Sequence, residues 1–328
     1  MIYKRQSSLD ITRYFTEKGG LTLARLSISS ASAGFDSSKA ASIAGLLGTE
    51  TGYDIGVEVQ VPQNSTLDKL RKGTHGVRVC SIHAPFMLFP AWHDLGKQFE
   101  KWVWTVKLAS LRQACMLAKQ GNIPIVLHAD SILRLAEREA LTPALAEGTQ
   151  VWIENTEPSD ALGDAFGNLL ETVQILRDLD QALRVGVNYD LGHAALAAFR
   201  AGSWTGELGT FAESVLDPQM CKLQELDAQV TALHIHNFDP HDYSDKPDHK
   251  RLERGTIPVD KVIRWVCQLN PNILLTLEVS YLPGRAGYVL NSLVGYGDNV
   301  ILNGVRKDLG TIIDSVPEGY SLIRAPLK

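Results

Sequence analysis

The chain alternates between short apolar runs that end in polar residues and longer segments whose apolar residues recur at helical spacing. Several of the short runs are almost continuously apolar, which is typical of strands that are covered on both faces. The eight runs are LTLARLSIS, YDIGVEVQV, VRVCSIHAPF, IPIVLHAD, QVWIENTEP, RVGVNYDLGH, VTALHIHNFD and NILLTLEVS. The pattern therefore predicts eight strands with helical segments between them.

Five of the intervening segments have the 3.6-residue period of a helix that buries one face. These segments are SSKAASIAGLL, FEKWVWTVKLASLRQACMLAKQ, SILRLAEREALTPALAEG, NLLETVQILRDLDQ and VDKVIRWVCQL. This alternation predicts the α/β class and a (β/α)8 barrel, or TIM barrel. No GxGxxG motif follows a strand, which argues against a doubly wound sheet. We expect a single domain over residues 1–328, with the barrel core at about 20–280 and a C-terminal extension, 281–328, packed on it.

The composition argues against several classes of protein. The 328 residues are 45% hydrophobic and carry a net charge of −5 without a basic run, so extended electrostatic binding of nucleic acid is not favoured. No apolar window reaches the roughly 18 residues of a membrane span, and the polar N-terminus lacks the apolar stretch of a signal peptide. The four scattered cysteines form no CxxC motif. We therefore predict no membrane partner, no disulfide framework and a cytoplasmic location.

Six consecutive predicted strands, the third to the eighth, end in histidine, aspartate or glutamate. The residues are His83, His128, Glu154, Asp190 with His193 three positions on, His234 with His236, and Glu278. Taken singly, each could be a buried core histidine or a helix cap. In a (β/α)8 barrel, however, the carboxyl ends of the strands meet at one rim, where carboxylates would repel one another unless cations neutralised them. Histidine and carboxylate together suit zinc, manganese or iron, so the pattern predicts a metal site.

The segment after the seventh strand, HNFDPHDYSDKPDHKRLERGTIPVDK, is rich in acidic residues and histidine. It is interpreted either as a solvated loop or as a loop that folds back over the rim. In the second interpretation His249, with Asp248 beside it, adds a further metal ligand.

The strand ends together resemble the xylose isomerase-like barrels (AP endonuclease family 2), the superfamily of endonuclease IV and many sugar isomerases and epimerases. The resemblance covers roughly residues 20–280 and is carried by SIHAPF, VLHAD, IENTEP, DLGH, HNFD, DHKRLERG and TLEVS, in that order. It implies two or three divalent ions, Zn²⁺ foremost, with Mn²⁺ or Fe²⁺ as alternatives. Residue by residue, it implies a first metal on His83, His128 and Glu154, a second on Glu154, Asp190, His236 and Glu278, and a third on His193 and His249.

Two positions leave alternatives within that resemblance. His236 is preferred to His234 as the ligand from the seventh strand, because only His236 has Asp239 at the family's HxxD spacing. His234 would also face inward, since it lies two residues earlier on the same strand. Pro247 stands where the family has the aspartate of the third metal, and Asp248 and Asp245 are the nearest acids. The carboxylate of the third site therefore stays open.

The resemblance leaves two reactions to consider, with Glu154 and Glu278 as the catalytic residues. The additional histidines favour a phosphoester hydrolase, in which several metals activate a hydroxide that Glu154 orients. The alternative is a sugar or sugar-phosphate isomerase or epimerase, in which the tetrad Glu154, Asp190, His236 and Glu278 binds one metal and the two glutamates move a proton. Such enzymes usually carry an arginine after the strand-seven histidine, and DPHDY has none. A lyase, or metal binding without turnover, stays open.

The substrate is suggested by the apolar loop PFMLFPAW after the third strand. Phe86 and Met87 match by position the residues that endonuclease IV relatives insert into DNA. The loop would equally pack on the next helix or form an apolar wall for a bulky metabolite. Because the acidic balance argues against DNA, we favour a small nucleotide-like or cofactor-like phosphodiester, such as a cobamide, with abasic DNA second. The sequence does not indicate an oligomeric state.

Overall fold

Eight parallel strands form a closed barrel in the computed structural model, which describes residues 23–33, 36–60, 66–84, 97–129, 150–156, 164–179, 184–242, 247–282, 298–318 and 320–324. The strands are β1 (Leu23–Ser29), β2 (Ile55–Gln60), β3 (Val79–His83), β4 (Ile125–His128), β5 (Gln150–Glu154), β6 (Arg184–Asp190), β7 (Val230–Ile235) and β8 (Leu274–Leu277). Each strand pairs with the next, and β8 pairs with β1 to close the barrel. The predicted fold class is therefore confirmed.

The helices in the described part of the chain follow the strands in the predicted alternation. They are α1 (Ser37–Thr51), α2 (Leu67–Gly73), α3 (Lys97–Gly121), α4 (Ala165–Leu179), α5 (Leu191–Arg200), α6 (Asp217–Glu225), α7 (Val259–Leu269) and α8 (Asp298–Ser315). Helix α7 has the predicted bounds, whereas SILRLAEREALTPALAEG lies outside the described residues.

Within the described residues, no helix is both long and apolar enough to cross a bilayer. The cytoplasmic location stays a prediction.

Helix α5 begins inside the sixth predicted run, so the last three residues of that run are helical. The run RVGVNYDLGH is strand only as far as Asp190, and the next residues start the helix. Asp190 caps this helix, because its Oδ1 accepts a hydrogen bond of 2.7 Å from the backbone N–H of His193. This hydrogen bond fixes the position of the Asp190 carboxylate through Oδ1. His193 lies in the first turn of α5, next to the end of β6.

The interior of the barrel has an apolar layer below a polar layer. Val126, Trp152, Ala232 and Leu274 form a buried cluster of their own. Side chains two positions apart on a strand point to the same side, so the residues that follow on the inner face are His128, Glu154, His234 and Thr276. The apolar layer therefore forms the floor of the polar one, and both are buried.

The described C-terminal residues pack against the barrel. Helix α8 contacts α7, and a short strand, β9 (Ser321–Leu322), pairs with the start of β1. The Tyr281 hydroxyl donates a hydrogen bond of 2.9 Å to Asp308 on α8, and Asp308 is 1% exposed. The division into a core and an extension stays a prediction, since residues 1–22 and 283–297 lie outside the described part.

A substitution at Gly56 tests the close approach of β2 and β3. A Cβ atom at this position would lie 2.3 Å from Cys80 Sγ and 2.8 Å from the carbonyl oxygen of Arg78. Because the second contact is with backbone, we expect Gly56→Ala to lower the free energy of unfolding by about 1–3 kcal/mol, measured in urea. The matched control is Gly310→Ala on α8, where a Cβ meets no atom within 4 Å. That variant should gain up to about 1 kcal/mol through helix propensity; equal shifts in both would contradict the packing described.

Candidate metal centre

Eleven titratable side chains meet at the carboxyl ends of the strands. They are Glu58, His83, His128, Glu154, Asp190, His193, His234, His236, Asp248, His249 and Glu278. All but His249 are less than 10% exposed. The barrel therefore brings together every strand-end residue that the sequence predicts, and it adds one that sequence reasoning missed, Glu58 on β2.

His234 lies at the centre of this cluster. Its Nδ1 is 2.7 Å from Glu278 Oε2 and 3.2 Å from Glu154 Oε2. The same atom is 3.7 Å from Asp190 Oδ2. Its Nε2 is 3.1 Å from Glu58 Oε2. Carboxylates therefore approach both ring nitrogens.

A second group surrounds the other side of Glu154. His83 Nε2 lies 3.3 Å from Glu154 Oε2, and His128 Nε2 lies 3.6 Å from Glu154 Oε1. The two imidazole Nε2 atoms are themselves 3.3 Å apart. Asn188 Nδ2 donates to Glu154 Oε2 at 2.9 Å and fixes the carboxylate between the two groups. His83, His128 and Glu154 thus form a set of donors that can hold a metal ion.

A third group lies beside α5 and the loop after β7. The Nε2 atoms of His193 and His249 are each 3.6 Å from Asp248 Oδ2. Asp248 is 2% exposed. Of the two acids considered for the third site, Asp248 is therefore the one that the structure places beside these histidines, whereas Asp245 lies outside the described residues. The interpretation of this segment as a loop that folds back over the rim fits that placement.

Both ring nitrogens of His236 have partners within the protein. The backbone N–H of His249 donates to Nδ1 at 2.8 Å, and Nε2 lies 2.9 Å from Asp190 Oδ2. Since Nδ1 accepts, the ring proton is on Nε2 and donates to the carboxylate. His236 orients Asp190 in this arrangement, and the geometry favours His234 as the donor from β7. The choice between them stays a prediction.

Asn155 joins the ends of β5 and β6. Its Nδ2 donates to the Asp190 carbonyl oxygen and its Oδ1 accepts from the Asp190 N–H, both at 2.8 Å. Its own carbonyl oxygen lies 3.1 Å from His193 Nδ1. Asn155 therefore positions two members of the cluster through its backbone and side chain.

Burial and charge set opposite protonation states in neighbouring histidines. Burial alone would lower the pKa of His83, but the hydrogen bond and the charge of Glu154 raise it to about 9. Burial lowers the pKa of His128 to about 3 and that of His249 to about 4. Burial would raise the pKa of Glu154, yet the neighbouring histidines, His234 first, hold it well below its usual range. At neutral pH the metal-free site therefore contains ionised carboxylates and a protonated His83, whereas His128 and His249 are neutral, the form in which imidazole binds a metal.

The donor set fits a divalent cation. Within the described ranges, the ion pairs of Glu58, Glu154, Asp190 and Glu278 are with histidines, and none is with lysine or arginine. Buried carboxylates without such partners need another source of positive charge. Imidazole nitrogen and carboxylate oxygen are the ligands that zinc, manganese and iron accept.

Two residues of the predicted site, Phe86 and Met87, follow β3 in the sequence and lie outside the described residues. The signal for Glu58 was present in the sequence, because VEVQV carries an acid near the end of the second strand as the other strands do. The run of six polar strand ends identified from the sequence starts at the third strand and does not include Glu58.

Comparisons with known proteins agree with this architecture. The sequence model of the xylose isomerase-like TIM barrels matches residues 66–292. The crystal structure of the IolI protein with a bound zinc atom has a TM-score of 0.55 at 14% identity, over 89% of this chain and 99% of that one. A candidate xylose isomerase from Rhodospirillum rubrum has a TM-score of 0.54 at 14% identity, over 91% and 100%. A protein from Sinorhizobium meliloti gives 0.51 at 14%, over 88% and 96%. No protein of curated function matches the sequence.

Gly192 tests the position of His236 without removing any metal donor. A Cβ at Gly192 would lie 1.9 Å from His236 Cε1, so Gly192→Ala must displace the ring and its hydrogen bond to Asp190. Because Asp190 then loses its orientation, we expect zinc affinity to fall about tenfold or more, measured by competition with a chromophoric chelator. Gly310→Ala, remote from the rim, serves as control and should leave the affinity unchanged. An unchanged affinity in Gly192→Ala would show that His236 does not support the site.

Proposed function

This chain belongs to the xylose isomerase-like TIM-barrel family, and on that premise we propose that it is a metal-dependent phosphoester hydrolase. Proteins of this family are in general enzymes. The proposal is supported above all by one observation: the rim holds more donor groups than a single cation needs. The IolI protein, which shares the fold, binds zinc in its crystal structure.

The donors divide among two or three cations in the following way. His234, Asp190 and Glu278 would hold one cation, with Glu154 beside them. His83 and His128 would hold a second, again with Glu154. His193 and His249 would hold a third, with Asp248 as the carboxylate that the sequence left open. Zn²⁺ is the ion we expect, with Mn²⁺ or Fe²⁺ as alternatives.

Glu154 is the residue that joins the first two groups. When bound, such cations lower the pKa of a water molecule and neutralise the charge of phosphoryl oxygens. Glu154 presents Oε2 toward His83 and His234 and Oε1 toward His128. The Asn188 amide holds this orientation, so the carboxylate would position the attacking water and accept its proton.

The substrate we propose is a small phosphodiester of nucleotide-like or cofactor-like structure, such as a cobamide, with abasic DNA as the second choice. The net charge of −5 supports a small substrate, because an acidic protein gains little from a long phosphate backbone. The cluster is buried at the barrel rim, which suits a compact phosphoryl group.

A sugar isomerase or epimerase is the second candidate. His234, Asp190 and Glu278 form a compact group suited to one cation, and Glu154 and Glu278 both lie within 3.2 Å of His234 Nδ1. Two glutamates around one cation could remove a proton from a sugar and return it. In that reaction His83 and His128 have no required role, and this difference separates the two candidates.

Substitution of Glu154 tests the central carboxylate. We expect the unmodified protein to hydrolyse bis-p-nitrophenyl phosphate with zinc or manganese, and Glu154→Gln to lose at least about 100-fold in kcat, because the amide cannot accept the proton. Circular dichroism should show that the variant keeps most of its fold. If Glu154→Gln kept nearly the full rate, the proposed role of Glu154 would be wrong. If the unmodified protein hydrolysed no phosphodiester but converted ketoses, the isomerase would be favoured.

Substitution of His128 tests the number of cations. In the hydrolase, His128→Gln should lose about one metal ion per chain by elemental analysis, together with most phosphodiesterase activity, because a ligand to the second cation is gone. His241→Gln is the matched control, since His241 is an exposed histidine in the loop after β7. A ratio of one metal in both the unmodified protein and His128→Gln would indicate the single-cation isomerase.

A further inference from the structure

We propose that the Glu58 carboxylate positions His234 for cation binding, by holding a proton on Nε2 and leaving Nδ1 as the donor atom. The inference rests on the proposed function in one respect only, the presence of a divalent cation, and not on the reaction. Glu58 would act through His234, so it is a positioning residue.

Glu58 lies inside the barrel. In the strand registers it is paired with Ser29 of β1 and with Ser81 of β3. Its side chain is 1% exposed and contacts the histidine of β7 across the barrel interior. Glu58 therefore belongs to the polar layer although no ligand pattern in the sequence includes it.

The contacts of Glu58 are few for a buried carboxylate. The Ser81 hydroxyl donates to Oε2 at 2.8 Å, and His234 Nε2 lies 3.1 Å from the same oxygen. The other oxygen, Oε1, is buried without a hydrogen-bond partner in the described part of the chain. Among those residues, His234 is also the ion-pair partner of this carboxylate.

Stability alone does not account for such a residue. Burying a carboxylate with incomplete hydrogen bonding costs folding free energy, and apolar side chains of similar volume are often neutral or stabilising in its place. We therefore attribute the presence of the Glu58 carboxylate to its interaction with His234.

The chemistry of the contact determines the proton position on His234. A carboxylate can only accept, so Nε2 carries the hydrogen and donates it to Glu58. The neutral ring then has its lone pair on Nδ1. That atom faces Glu278 Oε2 at 2.7 Å and Glu154 Oε2 at 3.2 Å, which is unfavourable unless a proton or a cation lies between them. Carboxylate, histidine and metal in this order are a common arrangement, in which the carboxylate raises ligand basicity.

The other histidine of this region supports the assignment by contrast. His236 accepts a backbone N–H at Nδ1 and contacts Asp190 through Nε2, so neither nitrogen is available to a cation. Of these two histidines, His234 is the one that combines a carboxylate beside Nε2 with several carboxylates beside Nδ1.

Zinc affinity provides the test, because it needs no substrate. Competition with a chromophoric chelator should show the tightest zinc site of Glu58→Ala weakened about 10–100-fold, the range found for partners of metal-binding histidines. Glu58→Gln keeps an acceptor oxygen without the charge and should show an intermediate loss. Ser81→Ala removes the other donor to the same oxygen, Oε2, and should bind zinc almost as the unmodified protein does.

Two measurements separate positioning from a loss of structure. In the metal-free state, Glu58→Ala should keep the circular dichroism spectrum and the single cooperative unfolding transition of the unmodified protein, which would show that the fold survives the substitution. In ¹⁵N-histidine NMR spectra of the zinc-bound protein, His234 should show a proton on Nε2 and a metal-bound Nδ1. The slowly exchanging Nε2 proton should disappear in Glu58→Ala.

Each outcome decides the inference. Equal zinc affinity in Glu58→Ala and the unmodified protein, or an equal loss in Ser81→Ala, would overturn it. Failure of the unmodified protein to bind zinc or manganese would overturn both the positioning role and the proposed function. Zinc binding that depends on Glu58, in a protein that hydrolyses no phosphodiester, would support the inference and refute only the proposed reaction.

Discussion

The compensation of buried negative charge at the barrel mouth is the constraint on which the site depends. The carboxylates of β2, β5 and β6 and the one directly after β8 are withdrawn from water, and their described ion pairs are with imidazoles. Each buried ion loses several kcal/mol of hydration, which only close opposite charge and hydrogen bonds can offset. Imidazoles offset part of it because they can hold a proton, and they can exchange that proton for a cation. The imidazoles that compensate the buried carboxylates in the metal-free protein are therefore also suited to bind a metal ion.

The barrel makes this arrangement possible through its strand geometry. Side chains two positions apart share a face, so an apolar layer containing Trp152 and Leu274 lies beneath the layer of ionisable groups. The apolar layer excludes water from below, and the rim brings residues from distant parts of the sequence within hydrogen-bond distance. Hydrogen bonds from Asn155 and from the helix that Asp190 caps then fix the orientation of the ligand groups. Rigid elements rather than mobile loops thus support most of the site.

Much of this could be predicted from residue order. The eight strands were recognisable because parallel strands covered on both faces are continuously apolar, and the polar residues at their ends marked the rim. Glu58 was missed for lack of a motif, although the same reasoning applied to β2 would have found it. The sequence favoured His236 over His234 as a metal ligand because of its HxxD spacing to Asp239. In the structure the two histidines differ in the partners of their ring nitrogens, which determine whether a nitrogen is available to a cation. Those partners come from β2 and from the loop after β7, which no local pattern specifies.

By itself the sequence determined the barrel and the set of residues at its mouth, because strand periodicity and strand ends are local properties of the chain. The tertiary structure alone decided how those residues are paired. Glu58 and His234 are separated by 176 positions, and their hydrogen bond exists only because the barrel closes. Which nitrogen carries a proton, and which faces the carboxylates, follows from distances of about 3 Å between strands. Such distances depend on the packing of the whole barrel and not on any segment of it.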